Sequence, residues 1–380
     1  MKAGWAIKPL GEVCDVVNGG TPKTGIVEYW DGPHQWITPA EMGKRATPYI
    51  DKTERTITDA GLQNSSARLL PEQSVILSSR APIGHLVINT APMASNQGCK
   101  GLVPRNGLDS KYLYYYLASI VPLLNDLGTG ATFKELSGGK LKEVLVSVAP
   151  FPEQHRIVAI LDEAFDGIAT AKGNAEKNLR NARALFESHL QSVFTERGEG
   201  WVVTTIDKIS INLDSKRIPI TKGVRKNGEY PYYGASGIVD YVADYIFDGD
   251  MLLISEDGAN LLARSTPIAF SVSGKYWVNN HAHILKFDDM ATQRFVEFYL
   301  ASIRLDEYIS GAAQPKLNQK ALNSIPIHIP VTVEKRTEIV RRIESLRGET
   351  QFLESIYQQK LTALDDLKKS LLHQAFSREL

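Results

Sequence analysis

From Pro152 onward, apolar or small residues recur at alternating steps of three and four: Ile157, Leu161, Ala164, Ile168, Ala171 and Ala175. The register continues through Asn178, Ala182 and Leu185, and Ile160, Leu179, Phe186, Leu190 and Val193 widen the stripe. Steps averaging about 3.5 residues make a coiled-coil seam. The spacing therefore predicts a helix of roughly 40 residues, about 60 Å long at 1.5 Å per residue. Its start is chemically marked. Pro152 lacks only an N–H that would have no intrahelical partner, and Glu153 lies near the positive end of the helix dipole. Gly167 and Gly173 each weaken the helix by about 1 kcal/mol relative to alanine. A helix this long exceeds the core of one small domain and calls for a partner.

The partner lies further along the chain. Displaced by 182 positions (339 − 157), "IVAILDEAF" falls on "IVRRIESLR", which begins at Ile339 and includes Ile343. Without a gap, Leu179 then falls on Leu361, Leu185 on Leu367 and Leu190 on Leu372. Two amphipathic helices share leucines easily, but the repeat extends upstream. "KYLYYYLASI" (111–120) overlies "RFVEFYLASI" (294–303), and "GATFKELSGGKL" (130–141) overlies "GAAQPKLNQKAL" (311–322). Gly4–Trp5 recurs as Gly200–Trp201. The chain thus reads as two copies of one unit: a variable globular segment, a short helix, a glycine-containing loop, a strand and a long helix. The predicted fold is α+β, with two tandem domains separated by two long antiparallel helices that form a coiled coil with pseudo-two-fold symmetry. The expected boundaries are 1–150 for the first domain, 151–197 for the central helix, 198–333 for the second domain and 334–380 for the C-terminal helix.

Composition changes this picture little. Apolar content of 43% and charged content of 23% describe a soluble globular chain. No apolar run reaches the roughly 18 residues that span a bilayer, and the start lacks a secretion signal, so no membrane partner and a cytoplasmic location are expected. Cys14 and Cys99 alone suggest neither a disulfide framework nor a metal cluster. Basic and acidic residues number 43 each, so net charge proposes no polyanionic partner, although a basic face can coexist with acidic ones.

The segment "PFPEQHRIVAILDEAF" (150–165) resembles the conserved region of the specificity subunit of Type I restriction-modification enzymes. So do "GGTPKTGIVEYWDGPHQWITPAEM" (19–42) and "SSRAPIGHLVINTAPMASNQGCKGL" (78–102) in the first copy. In the second copy the matching stretches are "KRIPI" (216–220), "YPYYGASGIVDYV" (230–242) and "NNHAHIL" (279–285). The second long helix departs from the pattern at "VEKRTEIV", which lacks Pro-Glu-Gln. The resemblance implies a non-catalytic subunit with two target-recognition domains, each reading half of a bipartite site in double-stranded DNA. It further implies that the helices set the spacing and dock two methylation subunits, with restriction subunits joining through the assembled complex.

The motifs agree with a chain that carries no chemistry and no cofactor. An Asn/Asp-Pro-Pro-aromatic motif is absent, "GTGATF" does not follow a strand as a dinucleotide fingerprint would, and no phosphate-binding loop appears. A single-chain methyltransferase–nuclease would need those features, whereas a scaffold without a DNA role would not. Asp109-Ser110-Lys111 is read as a helix cap rather than a nuclease remnant. His281 and His283 share a strand face but lack a third ligand at supporting spacing, so no metal is expected.

Candidate DNA contacts concentrate in "SKRIPITKGVRKNGEYPYYGAS" (215–236): Lys216, Arg217, Lys222, Arg225 and Lys226 beside Tyr232 and Tyr233. Basic side chains supply phosphate attraction, and arginine can also read guanine edges. By residue type alone a solvated loop is an equal reading, and the resemblance favours DNA. First-copy candidates are Lys23, Lys44, Arg45 and Arg80. The helix-pair candidates are Ile157, Leu161, Ile168, Leu179, Leu185 and Leu190 against Ile339, Ile343, Leu361, Leu367 and Leu372. Tyr112, Tyr114, Tyr115 and Tyr116 are read as helix-packing residues, as are their counterparts Phe295, Phe298 and Tyr299.

Overall fold

The structure, a computed structural model, describes residues 4–45, 47–130, 134–311 and 313–377. Parts of the repeated loops (131–133 and 312) lie outside the described residues. The chain divides into two units, residues 1–174 with 360–380 and residues 175–359. Four helices organise them: α1 (Ser110–Ser119), α2 (Phe151–Thr195), α3 (Met290–Ser302) and α4 (Val333–Ser377). Both long helices pass from one unit into the other.

In the first unit a five-stranded sheet runs in the order Cys14–Asn18, Cys99–Pro104, Val75–Ser79, Ile83–Asn89, Tyr49–Ile50. A three-stranded sheet joins Thr56–Ile57, Trp30–Ile37 and Met93–Ser95. One face of the larger sheet buries Leu77 and Leu102 against Tyr112, Leu113 and Leu117 of α1, with Ile157 and Leu161 of α2 and Leu372 and Ala375 of α4 completing the core. The carboxylate of Asp109 accepts the Tyr112 N–H at 2.8 Å and so caps α1. The tyrosines form a packing face. Tyr112 and Tyr116 donate their hydroxyls to the carbonyls of Ser147 and Leu145, which lets polar tips be buried.

The Pro-Glu-Gln segment starts α2 for a reason beyond capping. Gln154 is fully buried, donates to the carbonyls of Gly107 and Ala149, and accepts the N–H of Asp109, each at 2.8 Å. One side chain therefore fixes the start of the long helix to the loop before α1. In the second unit the position 182 residues later is Arg336 (336 − 154). It reaches the Pro330 carbonyl at 2.8 Å and lies 3.8 Å from Asp289, the cap of α3. A different residue type makes the same attachment.

The second unit has a four-stranded sheet, Ile211–Asn212, Ala282–Lys286, Met251–Ser255, Ala269–Val272. Another orders Gly237–Val242, Asn227–Gly234, Lys275–Val278 and Phe247–Asp248. Leu252, Ile254 and Leu285 meet Phe295, Val296 and Tyr299 of α3, together with Leu190 and Phe194 of α2 and Ile339 and Ile343 of α4. The recurring Gly-Trp has a backbone cause. Gly4 and Gly200 take φ of +86° and +80°, just before strands that pair antiparallel with 145–148 and 326–330.

Within each unit α2 and α4 run antiparallel. In the first, Lys172 pairs with Asp365 at 2.7 Å, and in the second Arg183 pairs with Glu354 at 2.8 Å. Ile157, Leu161, Ile168, Ala175, Ala182, Leu190, Ile339, Ile343 and Leu372 are buried, while Leu179 and Leu361 are half-buried. Leu185 and Leu367 correct the expectation: they are 53% and 46% exposed and lie outside the seam. Past Ala182 the inward positions step by four to Phe186, Leu190 and Phe194, because a straight helix drifts about 20° per heptad from a 3.5-residue repeat. Among the described residues, no helix is long and apolar enough to cross a membrane.

Candidate nucleic-acid interface

The two sheets share one frame at the ends of their central strands. Asn96 Oδ1 accepts the Gly98 N–H and Asn279 Oδ1 accepts the His281 N–H, both at 2.8 Å. Ser78 pairs with Cys99 as Ser255 pairs with Ala282. Ser79 N–H bonds the Gly98 carbonyl and Glu256 N–H that of His281, while Leu136 and Leu317 bond the carbonyls of Ser79 and Glu256. Lys100 thus corresponds to His283, and Ser79 to Glu256. Asn18 sits across from Lys100, and Asp214 follows Leu213, whose N–H bonds the Ile284 carbonyl; Asn18 therefore corresponds to Asp214.

In the second unit these positions build a closed ionic node. His283, 1% exposed, places Nδ1 at 2.5 Å from Asp214 and Nε2 at 2.7 Å from the Leu317 carbonyl. Both ring nitrogens therefore face oxygen atoms. Arg217 lies 2.5 Å from Glu256, 3.5 Å from Asp214 and 2.8 Å from the Ala282 carbonyl, and Lys316 lies 3.2 Å from Glu256. Tertiary folding therefore puts two carboxylates, which sequence spacing did not supply, beside His283. The Arg217 guanidinium already lies against both.

Burial alone would push the Asp214 carboxyl up. The hydrogen bond and charge of His283, the Ile284 N–H and Arg217 outweigh it and hold Asp214 below the usual carboxylate range. Glu256 is held low in the same way, with burial opposed by Arg217, His283 and Lys316. Depressed carboxyls contribute stability above their unfolded pKa values, about 3.9 and 4.3, and lose it as pH falls through the folded ones. Amides of Met251–Ser255 should therefore lose exchange protection below about pH 4, and Asp214→Asn should flatten that loss while lowering protection at neutral pH. Identical acid profiles for the variant and the natural chain would refute this account.

Several predicted contacts are committed elsewhere. Arg217 belongs to the node, because the turn at Asp214–Lys216 aims it inward. Tyr232 is 1% exposed and its hydroxyl accepts the Ile220 N–H, so it is core. Tyr233 packs on Phe270 and Tyr276. Arg225 stacks 4.3 Å from the Tyr232 ring centre and pairs with Asp240 at 3.0 Å. Lys44 pairs with Glu54 at 3.3 Å, and Arg45 and Arg80 lie 3.9 Å from Glu41 and Glu135. Lys23, Lys216, Lys222 and Lys226 are exposed and make no ion pair among the described residues. Arg55, absent from the predicted set, lies exposed over Trp30 at 3.7 Å.

Comparison with known proteins decides the family. A sequence profile described as the Type I restriction modification DNA specificity domain matches residues 2–179 and again 198–362. The chain belongs to this family. A Type I specificity subunit of Methanocaldococcus jannaschii, MjaIX, is 29% identical over 299 residues, 74% of this chain and 69% of that one. The EcoprrI specificity subunit of Escherichia coli is 24% identical over 351 residues, 87% and 84% of the two chains. A solved chain from work on assembly and conformational transition of a type I restriction-modification system shares the fold, with a TM-score of 0.80 at 14% identity and coverage of 99% and 98%. The HsdS subunit of Thermoanaerobacter tengcongensis has a TM-score of 0.63 at 15% identity, covering 100% and 98%.

The two specificity-domain matches coincide with the two copies of the repeat. Within each specificity domain the short helix is also tied to a long one by an equivalent ion pair. Lys111 meets Asp162 at 2.7 Å in the first, and Arg294 meets Glu344 at 2.9 Å in the second. Sequence reasoning passed over these pairs, although the displacements that align the helices also align their charges.

Proposed function

We propose that this chain is the DNA-recognition and scaffold subunit of a type I restriction-modification enzyme and carries no catalytic group of its own. Residues 1–150 and 198–333 act as target-recognition domains, each reading one half of a bipartite site. The helical segments 151–197 and 334–380 set the spacing and dock methylation subunits, and restriction subunits join through the assembled complex. The observation that carries this reading is the duplicated frame with different polar side chains at equivalent positions. Equal frames suit two similar docking surfaces, and unequal side chains suit two different half-sites. Lys23, Lys216, Lys222 and Lys226 are the predicted cations still free to meet phosphate. Mapping methylated adenines in DNA from cells carrying the chain and its methylation subunit tests the reading. Two defined half-sites at a fixed gap support it, and methylation without a bipartite consensus overturns it.

The isolated chain should neither methylate nor cleave DNA. Adding its cognate methylation subunit should give site-specific methyl transfer in a complex of two methylation subunits per chain. Native mass spectrometry checks the ratio, and a stable one-to-one complex at saturating partner would count against it.

A further inference from the structure

The ionic node of the second unit has a counterpart in the first that keeps a cation and lacks the anions. Lys100 is 6% exposed and has no hydrogen bond or ion pair among the described residues. Its stem is covered while its ammonium meets no counter-charge among the described residues, so the position can take an external anion. At the equivalent position His283 faces Asp214 and Glu256, whose ligand atoms lie within 4.8 Å of one another and of the ring. The first unit has Asn18 in place of Asp214 and Ser79 in place of Glu256, both neutral. Ser79 Oγ is enclosed without a partner. Lys100 Nζ is not among the enclosed unpartnered atoms, and Asn18 beside it is exposed, so the ammonium has a path to the surface.

We propose that Lys100, with Asn18, is an anion seat that takes a phosphate group of the DNA backbone; this rests on the recognition reading above. In the second unit the carboxylates of Asp214 and Glu256 stand where that phosphate would sit, and Arg217 closes the site. A recessed ammonium beside an exposed amide matches phosphate oxygens, which accept from both. Such a contact positions the duplex and carries no sequence information of its own. The two recognition domains thus differ in how they are anchored: the first takes an external anion, and the second supplies its own.

Lys100→Met removes the charge at similar length. In the complex with methylation subunits, binding to the mapped bipartite duplex should weaken, and the slope of log affinity against log salt should fall by about 0.9, the value for one phosphate. Scrambling the first domain's half-site should weaken both complexes and leave a smaller difference between them, because a phosphate contact also acts in non-specific binding. The free variant should keep its thermal midpoint, because the ammonium has no partner among the described residues to lose. A merely structural lysine would lower that midpoint and leave the slope unchanged, which would overturn the assignment. Inorganic phosphate provides a second arm. If it stabilises the natural chain but not the variant while the DNA slope is unchanged, the seat holds free phosphate and the backbone assignment is wrong. If the natural complex binds no DNA at all, the recognition reading fails, and the phosphate arm alone reports whether the seat takes an anion.

Discussion

Inserting four residues next to Asn174–Glu176 in α2 is expected to lengthen the gap between the two methylated half-sites by one base pair, at most two, and to leave the bases within each half-site unchanged. Four helical residues add about 6 Å at 1.5 Å per residue and rotate the chain by only about 40° beyond a full turn. A coiled coil absorbs that as a stutter. DNA advances about 3.4 Å per base pair. The site suits the test because α2 is continuous through it and a buried seam residue, Ala175, lies within it. Two inserted residues should instead turn the following seam by about 200°. Ala182, Leu190 and Phe194, all buried, would then leave the face they share with the preceding half, and methylation should be lost. Methylome mapping of both variants gives the answer. An unchanged gap in the four-residue variant would place the spacing in the loops that join helix to domain.

Replacing Arg217 with methionine is expected to destabilise the second unit by about 3–5 kcal/mol, the range for removing one partner of a buried ion pair. Asp214 and Glu256, with side chains only 5% and 12% exposed, would lose their shared guanidinium, although His283 and Lys316 would remain. A domain has only about 5–15 kcal/mol in total, so the unit should be marginal. Lysine should rescue little, because it lacks the planar fork whose Nη1 donates to Glu256 and the Ala282 carbonyl while Nε donates to the Asp214 carbonyl. Arg217→Met combined with Asp214→Asn and Glu256→Gln should recover part of the loss by removing the stranded charges. Hydrogen exchange would localise the damage to the strands at Met251–Ser255 and Ala282–Lys286. The sequence-based expectation for Arg217 was a phosphate contact, and it makes the opposite forecast: full stability with a smaller salt slope. That outcome would remove Arg217 from the node.

The duplication, the α+β class and the long helices were legible in the sequence because they rest on periodicity. A seam repeats every few residues, and a duplicated chain repeats its caps, its Gly-Trp and its tyrosine-bearing helix in order. The family resemblance rested on the same contiguous stretches. Individual roles were less legible where a side chain's direction depends on distant strands. Five basic residues within eleven positions read as one patch, yet the turn at 214–216 and the pairing of Asn227–Gly234 with Gly237–Val242 send Arg217 and Arg225 inward and leave Lys216, Lys222 and Lys226 outside. Gln154 could not be told from an ordinary first-turn polar residue until the Asp109 loop was placed against it.

The amino-acid sequence by itself determined that this chain is one unit built twice, since local periodicity and caps are properties of neighbouring residues. Only the tertiary structure decided which charges are spent inside. Asp214, Glu256 and His283 are tens of residues apart and meet through strand register, and the same register sets Lys100 beside Asn18, with no ion pair to Lys100 among the described residues.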